Sequence, residues 1–195
     1  MFLEASEAAD RAVGQRPPGG PAGRRRSAPL YTPEQRRRRD ETPWTLVQGI
    51  LAPVQFLAFG VSLVLVIRTL VTGEGETAAA ISVVVKTGLL YAIMVTGAIW
   101  EKRVFGRYLF APAFYWEDVF SMLVLALHTA YLWALFTGAV GTRGQLWIAL
   151  AAYVAYVINA AQFVLKLRAA RLQAEADAAA NAADGAGALP GKGAA

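Results

Sequence analysis

From Trp44 onward the chain alternates long apolar runs with short polar breaks. The first run, about residues 44–67, contains no Asp, Glu, Lys or Arg, and the second, about 77–100, carries one charge, Lys86. The third, about 119–142, has His128 as its one group that titrates near neutral pH, and the fourth, about 144–165, is uncharged. A helix rises ~1.5 Å per residue, so runs of this length cross a hydrocarbon core ~30 Å thick. Buried helices of a soluble bundle would be shorter and striped with charge on one face. The pattern therefore predicts an all-α integral membrane protein with four transmembrane helices.

The flanks predict disorder, capping and orientation. Residues 1–29 contain PPGGPAG and RRR, a composition that cannot bury a core, and are expected to be a disordered basic extension. The membrane domain is expected over 30–172, followed by a disordered Ala/Gly-rich tail at 173–195 that frays after Ala174. In LYTPEQRRRRDE, Thr32 suits an N-cap, Pro33 the first helical position and Gln35 the third, so a short helix should begin there. Lys and Arg gather before the first run (Arg36–Arg39), between the second and third (Lys102, Arg103, Arg107) and after the fourth (Lys166, Arg168, Arg171). This bias places both termini and the loop between helices 2 and 3 in the cytoplasm.

Composition agrees: of 195 residues 56% are hydrophobic and 17% charged, with mean hydropathy +0.39. Nine of nineteen basic residues lie in the first forty positions, so the net charge of +5 describes a basic tail on an apolar body. Attraction to anionic lipid explains that tail more simply than nucleic acid does. The absence of cysteine removes disulfides, thiolate metal sites and a cysteine nucleophile.

Polar groups inside apolar runs are costly unless paired or used. In the first run Gln48, Gln55 and Ser62 recur every seven residues and share a face, as interhelical glue or as ligand contacts. Pro53 should loosen that helix and free a carbonyl near Gly49. Lys86 should turn inward, toward that carbonyl, Gln55 or a substrate carboxylate. Glu117, Ser121, His128 and Tyr131 share a face of the third run, with His128 ~16 Å below Glu117. Asp118 is expected off that face. Asn159 and Gln162 in the fourth run read as glue.

Residues 100–118, WEKRVFGRYLFAPAFYWED, hold seven aromatic residues flanked by Glu101 on one side and Glu117 and Asp118 on the other. Interfacial anchoring accounts for Trp100 and Trp116 but less well for Phe105, Phe110 and Phe114. Gly106 and Pro112 should break the helix, giving a re-entrant or surface-lying aromatic segment.

YTPEQRRRRD, TPWTLVQGILAPVQFL, VVKTGLLYAIMVTGAIWEKRVFGRYLFAPAF and YWEDVFSMLVLALHTAYL together resemble the 3-vinyl bacteriochlorophyllide hydratase family of bacteriochlorophyll biosynthesis, also named 2-vinyl bacteriochlorophyllide hydratase. The resemblance covers roughly Leu30 to Lys166. It implies a hydro-lyase that adds water to the vinyl group of chlorophyllide a, or a related bacteriochlorophyllide, giving a 1-hydroxyethyl group. It also implies residence in a bacterial inner or photosynthetic membrane, contact with lipid and with other pigment-biosynthesis enzymes, and no nucleic acid partner. Hydration calls for no cofactor beyond the magnesium already in the substrate. Under this resemblance Glu117 or Glu101 is the expected acid, with Asp118 behind them. His128 is either the water-activating base or a ligand to the substrate magnesium. Lys86, Arg107, Tyr115, Trp116, Tyr131 and Gln55 are the expected substrate contacts. A non-catalytic membrane protein that binds or delivers tetrapyrrole pigment would show the same features, and a small transporter is a weaker third reading.

Overall fold

The computed structural model describes residues 30–187, with the side chains of 181 and 183–187 outside that description. The expected disorder of 1–29 and of 188–195 lies outside the described residues. Helix α1 spans Pro33–Glu41, α2 Pro43–Thr72, α3 Glu76–Phe105, α4 Tyr115–Thr137 and α5 Thr142–Gly187. Four segments, α2, α3, α4 and α5 as far as Ala180, are long and apolar enough to cross a membrane.

The start of α1 follows from its capping box. Thr32 Oγ1 accepts from the Gln35 backbone N–H at 3.2 Å, and the Thr32 N–H donates to Gln35 Oε1 at 2.9 Å. The two bonds satisfy donors a helix start otherwise leaves open. Thr42 closes α1 and precedes Pro43, the first residue of α2. Helix α2 continues through Pro53. Helix α3 ends at Gly106, whose φ of 80° is a left-handed conformation that glycine adopts without steric cost. The break runs from 106 to 114, so Trp100 and Phe105 belong to α3, and Tyr115 and Trp116 to α4.

Several helix limits differ from the sequence reading: α2 runs on to Thr72 and α3 to Phe105, five residues past each apolar run. Helix α4 occupies 115–137 rather than 119–142, because Gly138, with φ of 64°, ends it ahead of a short turn. Helix α5 continues through the Ala-rich stretch to Gly187, as the high helix propensity of alanine favours.

The helices alternate in direction, and polar pairs fix their register. Gln48 Nε2 donates to Thr96 Oγ1 at 2.7 Å, and the Ser62 and Ser82 hydroxyls meet at 2.8 Å, zipping α2 to α3. Ser62 also meets the Tyr153 hydroxyl at 2.5 Å, and Phe59 packs on Tyr156 with ring centroids 5.0 Å apart, joining α2 to α5. Asn159 Nδ2 donates to Ser121 Oγ at 2.9 Å between α5 and α4. These bonds bear out the glue reading for Gln48 and Ser62. The core between them holds Phe59, Val66, Val83, Leu90, Val124 and Tyr153, and buried Ala149 and Ala152 let α5 approach closely. The outer surface is apolar: Leu57 is 69% exposed and Phe136 75%. Such side chains suit lipid rather than water.

A second, smaller core closes the end of the bundle where the 106–114 loop lies. Phe114 packs edge-on against Trp100 and Phe105 at 5.9 and 5.8 Å and stacks on Phe163 at 5.8 Å. Tyr31 stacks on Phe105 at 5.8 Å with Arg39 over its other side. Trp100, Phe105 and Phe114, three of the seven aromatic residues of 100–118, are thus committed to packing.

Candidate active site

Helix α4 starts between α3 and α5, and this sets where its first acidic residues point. Asp118 turns toward α3, where its carboxyl group neighbours that of Glu101. Both are buried, at 4% and 5% exposure. The loop closes over them: the Phe110 N–H donates to Asp118 Oδ2 at 2.7 Å, and the Ala111 N–H donates to Glu101 Oε2 at 3.3 Å. To aim its N–H inward, Phe110 takes φ of 58°, the one positive φ at a non-glycine among the described residues. Asp118 thus lies off the side that Glu117 takes, but buried under the loop rather than merely charging the start of α4.

Glu117 turns the other way. Its Oε2 accepts from Lys166 Nζ on α5 at 2.7 Å, with the two side chains 9% and 28% exposed. Lys166 also lies 5.0 Å from the centre of the Phe114 ring. An ion pair is made by the ionised carboxylate, the opposite of a proton-loaded acid. Glu101 and Asp118 instead present two like groups side by side. Two like groups this deeply buried cannot both be charged cheaply.

An exposed cluster of aromatic rings, tilted and edge-on to one another, adjoins this pair. Phe110 packs on Tyr115 at 5.8 Å, and Tyr115 on Trp116 at 5.5 Å. The three are 37%, 47% and 67% exposed. Arg107 lies exposed in the same loop, without an ion pair among the described residues.

Lys86, His128 and Tyr131 lie deeper and are closed off. Lys86 and His128 are both fully buried, and Lys86 Nζ donates to His128 Nε2 at 3.0 Å. His128 Nδ1 lies 2.8 Å from the Val124 carbonyl oxygen, which can only accept, so the ring proton is on Nδ1. Lys86 Nζ also sits 4.1 Å from the centre of the Tyr156 ring. Its partner is thus a histidine, not Gln55, the carbonyl near Gly49 or a substrate group. Both imidazole nitrogens are engaged, leaving neither for magnesium or water in this arrangement. Gln55, 2% exposed on α2, has neither amide atom hydrogen-bonded to the described residues.

The profile of the 2-vinyl bacteriochlorophyllide hydratase (BCHF) family matches residues 31–169. The chain belongs to this family. It is 70% identical over 160 residues to a protein of Rhodobacter capsulatus named 2-vinyl bacteriochlorophyllide hydratase, covering 82% of this chain and 92% of the relative. It is also 70% identical over 148 residues to a protein of the same name from Cereibacter sphaeroides, covering 75% and 91%. No solved structure matches the chain.

Among the expected site residues of this hydratase-family chain, the fold brings together Glu101, Asp118, Tyr115 and Trp116 at one end of the bundle, with Arg107 in the same loop. It separates them from Lys86, His128 and Tyr131. Sequence reasoning missed Lys166 as the partner of Glu117. The signal was present: Lys166 is the first charge after the fourth apolar run and Glu117 stands just before the third, so antiparallel neighbours place them at one depth. A separate surface cavity of ≈ 410 Å³, lined by Arg38, Glu41, Trp44 and Arg103, shares no residue with the carboxyl pair.

Proposed function

We propose that this protein hydrates the vinyl group of a chlorophyllide-type magnesium tetrapyrrole and that Glu101 and Asp118 carry the proton transfers. The observation that carries the residue assignment is the buried carboxyl pair beneath the Phe110 and Ala111 N–H groups, next to an exposed aromatic cluster. The flat macrocycle lies against Phe110, Tyr115 and Trp116, entering from the lipid phase, and Arg107 takes its propionate.

Water is a poor nucleophile toward an alkene, so protonation comes first. The pair gives its shared proton to the terminal vinyl carbon. The C=C π electrons form the new C–H bond, leaving a cation at the carbon attached to the macrocycle, whose π system delocalises it. The pair, now carrying both negative charges, stabilises that cation. Water forms the C–O bond, and its surplus proton returns to the pair. The sum is one water added and the catalyst restored. The two loop N–H groups steady the doubly charged state between the transfers. Glu117 positions α4 against α5 through Lys166, and His128 holds Lys86; neither exchanges a proton with substrate. The only metal in this scheme is the substrate's own magnesium.

The loop at 106–114 and both ends of the chain face the cytoplasm in this reading, as the Lys/Arg distribution favours. Single cysteines test it in a chain that has none. Tyr108 and Glu74 are exposed sites free of the left-handed backbone that Gly106 and Gly75 require. Tyr108→Cys should resist an impermeant thiol reagent applied to intact cells, while Glu74→Cys reacts. The reverse pattern would overturn the orientation.

The activity is tested by incubating membranes that contain the protein with chlorophyllide a and chromatographing for a product heavier by one water. Asp118→Asn should still bind pigment, read as a shift in its visible spectrum, but yield no product. Product formation at the wild-type rate by both Asp118→Asn and Glu101→Gln would remove the pair from the mechanism. A wild-type protein that binds pigment without hydrating it would instead support the carrier reading.

A further inference from the structure

Four buried polar atoms of the bundle have no hydrogen-bonding partner among the described residues: both amide atoms of Gln55, Oδ1 of Asn159 and Oε1 of Gln162. Leaving one such atom unsatisfied costs ~1–3 kcal/mol. The neighbours of Gln55 on the same stripe are satisfied, Gln48 by Thr96 and Ser62 by Ser82 and Tyr153.

Register brings the four atoms to one level. Ser62 meets Tyr153, and three residues back along α2 Phe59 meets Tyr156, three residues forward along α5. One further turn back is Gln55, and three and six residues forward, within one turn of each other, are Asn159 and Gln162. Asn159 in turn donates to Ser121, on the inward face of α4. Ser121 lies one helical turn, ~5 Å along the axis, below Asp118. His128 lies two turns further down.

The donor set selects the ligand. It offers one NH₂ donor and three carbonyl acceptors, with the Ser121 hydroxyl beside them. Three amide oxygens repel an anion. A cation would meet the Gln55 NH₂ group and no carboxylate at that level. Three acceptors and one donor call for small neutral molecules that both donate and accept; a single water reaches two of the acceptors and the NH₂ group, a second water the remaining oxygen, and water is the smallest such molecule. We infer that Gln55, Asn159, Gln162 and Ser121 form a water-binding site inside the bundle, one turn below the Glu101–Asp118 pair, that supplies the water added to the vinyl group. This second clause rests on the hydratase reading; the water site itself does not. A reaction in a lipid-facing site needs its polar reactant held near the cation as it forms, and amide groups can hold water without competing for a proton.

Two measurements separate the inference from the reading it extends. Radiolytic hydroxyl labelling of membranes containing the full chain, followed by mass spectrometry, marks buried side chains beside bound water. Phe59 and Tyr156, adjoining the site from α2 and α5, should be labelled in the wild type and several-fold less in Gln55→Leu. Absence of labelling in the wild type overturns the site whatever the activity. In the hydration assay, Gln55→Leu and Gln162→Leu should each lower turnover about tenfold to a hundredfold without weakening pigment binding, whereas Gln48→Leu, which loses only its bond to Thr96, should retain turnover. Full turnover in both Gln55→Leu and Gln162→Leu overturns the supply role and leaves the hydratase reading intact. A wild type that shows labelling but no hydration sinks the hydratase reading and leaves the water site standing.

Discussion

Two buried ionisable pairs lie at different depths of this bundle. Lys86 and His128, near mid-membrane, are complementary: a donor meets an acceptor, the second ring nitrogen has its carbonyl, and a tyrosine ring faces the ammonium. Glu101 and Asp118, at the rim, are alike, and two loop N–H groups donate to them. The first pair is closed and complete. The second, two like groups beside an exposed aromatic surface, is the one the proposed mechanism uses. An ionisable group inside a membrane is thus better judged by what remains unspent after its partners are counted than by its depth.

The largest effect that could break this contrast is at the rim. Asp118→Asn or Glu101→Gln should lower hydration about 10²- to 10⁴-fold, the usual worth of general acid–base catalysis, with pigment binding little changed. Next comes the deep pair, where the expected loss is of stability. His128→Leu leaves the Lys86 nitrogen buried without its acceptor and should cost ~1–3 kcal/mol or more, seen as earlier thermal aggregation in detergent. The double variant Lys86→Met, His128→Leu replaces the whole couple with apolar groups and should recover most of that loss. A double variant that folds well yet has no hydratase activity would show that the deep pair takes part in chemistry after all.

Glu117→Gln should have a smaller effect. It breaks a partly exposed ion pair with Lys166, worth ~1 kcal/mol or less, and turnover should fall by less than about tenfold. A collapse of turnover in Glu117→Gln, with Asp118→Asn active, would exchange the roles of these adjacent residues. Smallest is Trp116→Ala at the outer edge of the cluster. It should weaken pigment affinity by ~0.5–1.5 kcal/mol, the scale of one aromatic contact, and leave the rate at saturation unchanged.

Much of the fold was legible because a membrane imposes a length and a polarity on every crossing segment. Four apolar runs gave four helices, the Thr32–Gln35 capping box formed, and the face shared by Glu117, Ser121, His128 and Tyr131 is buried as a set. What could not be read was which neighbour each polar group meets. The helical spacing put Asp118 off the Glu117 face without saying what it would meet there. Helix α4 has two neighbours, and residues ~100° apart around it each face one. Lys86 found its acceptor on another helix, 42 residues away, a relation that no local spacing encodes. Phe105 and Phe114 looked like surface for a ligand but pack with Tyr31 and Phe163, residues distant in sequence.

The left-handed backbone of Phe110 has a consequence for how this position can vary. Glycine or asparagine would adopt the conformation at least strain and keep the N–H aimed at Asp118, but would delete the ring from the cluster. A β-branched residue would keep apolar bulk and resist the conformation. Proline would remove the donor altogether. Neutral drift here has almost no direction in which to move: each easy substitution preserves either the clasp over the acids or the surface beside them. Among the residues of the loop, Phe110 is where selection for conformation and selection for contact act on the same side chain and oppose each other.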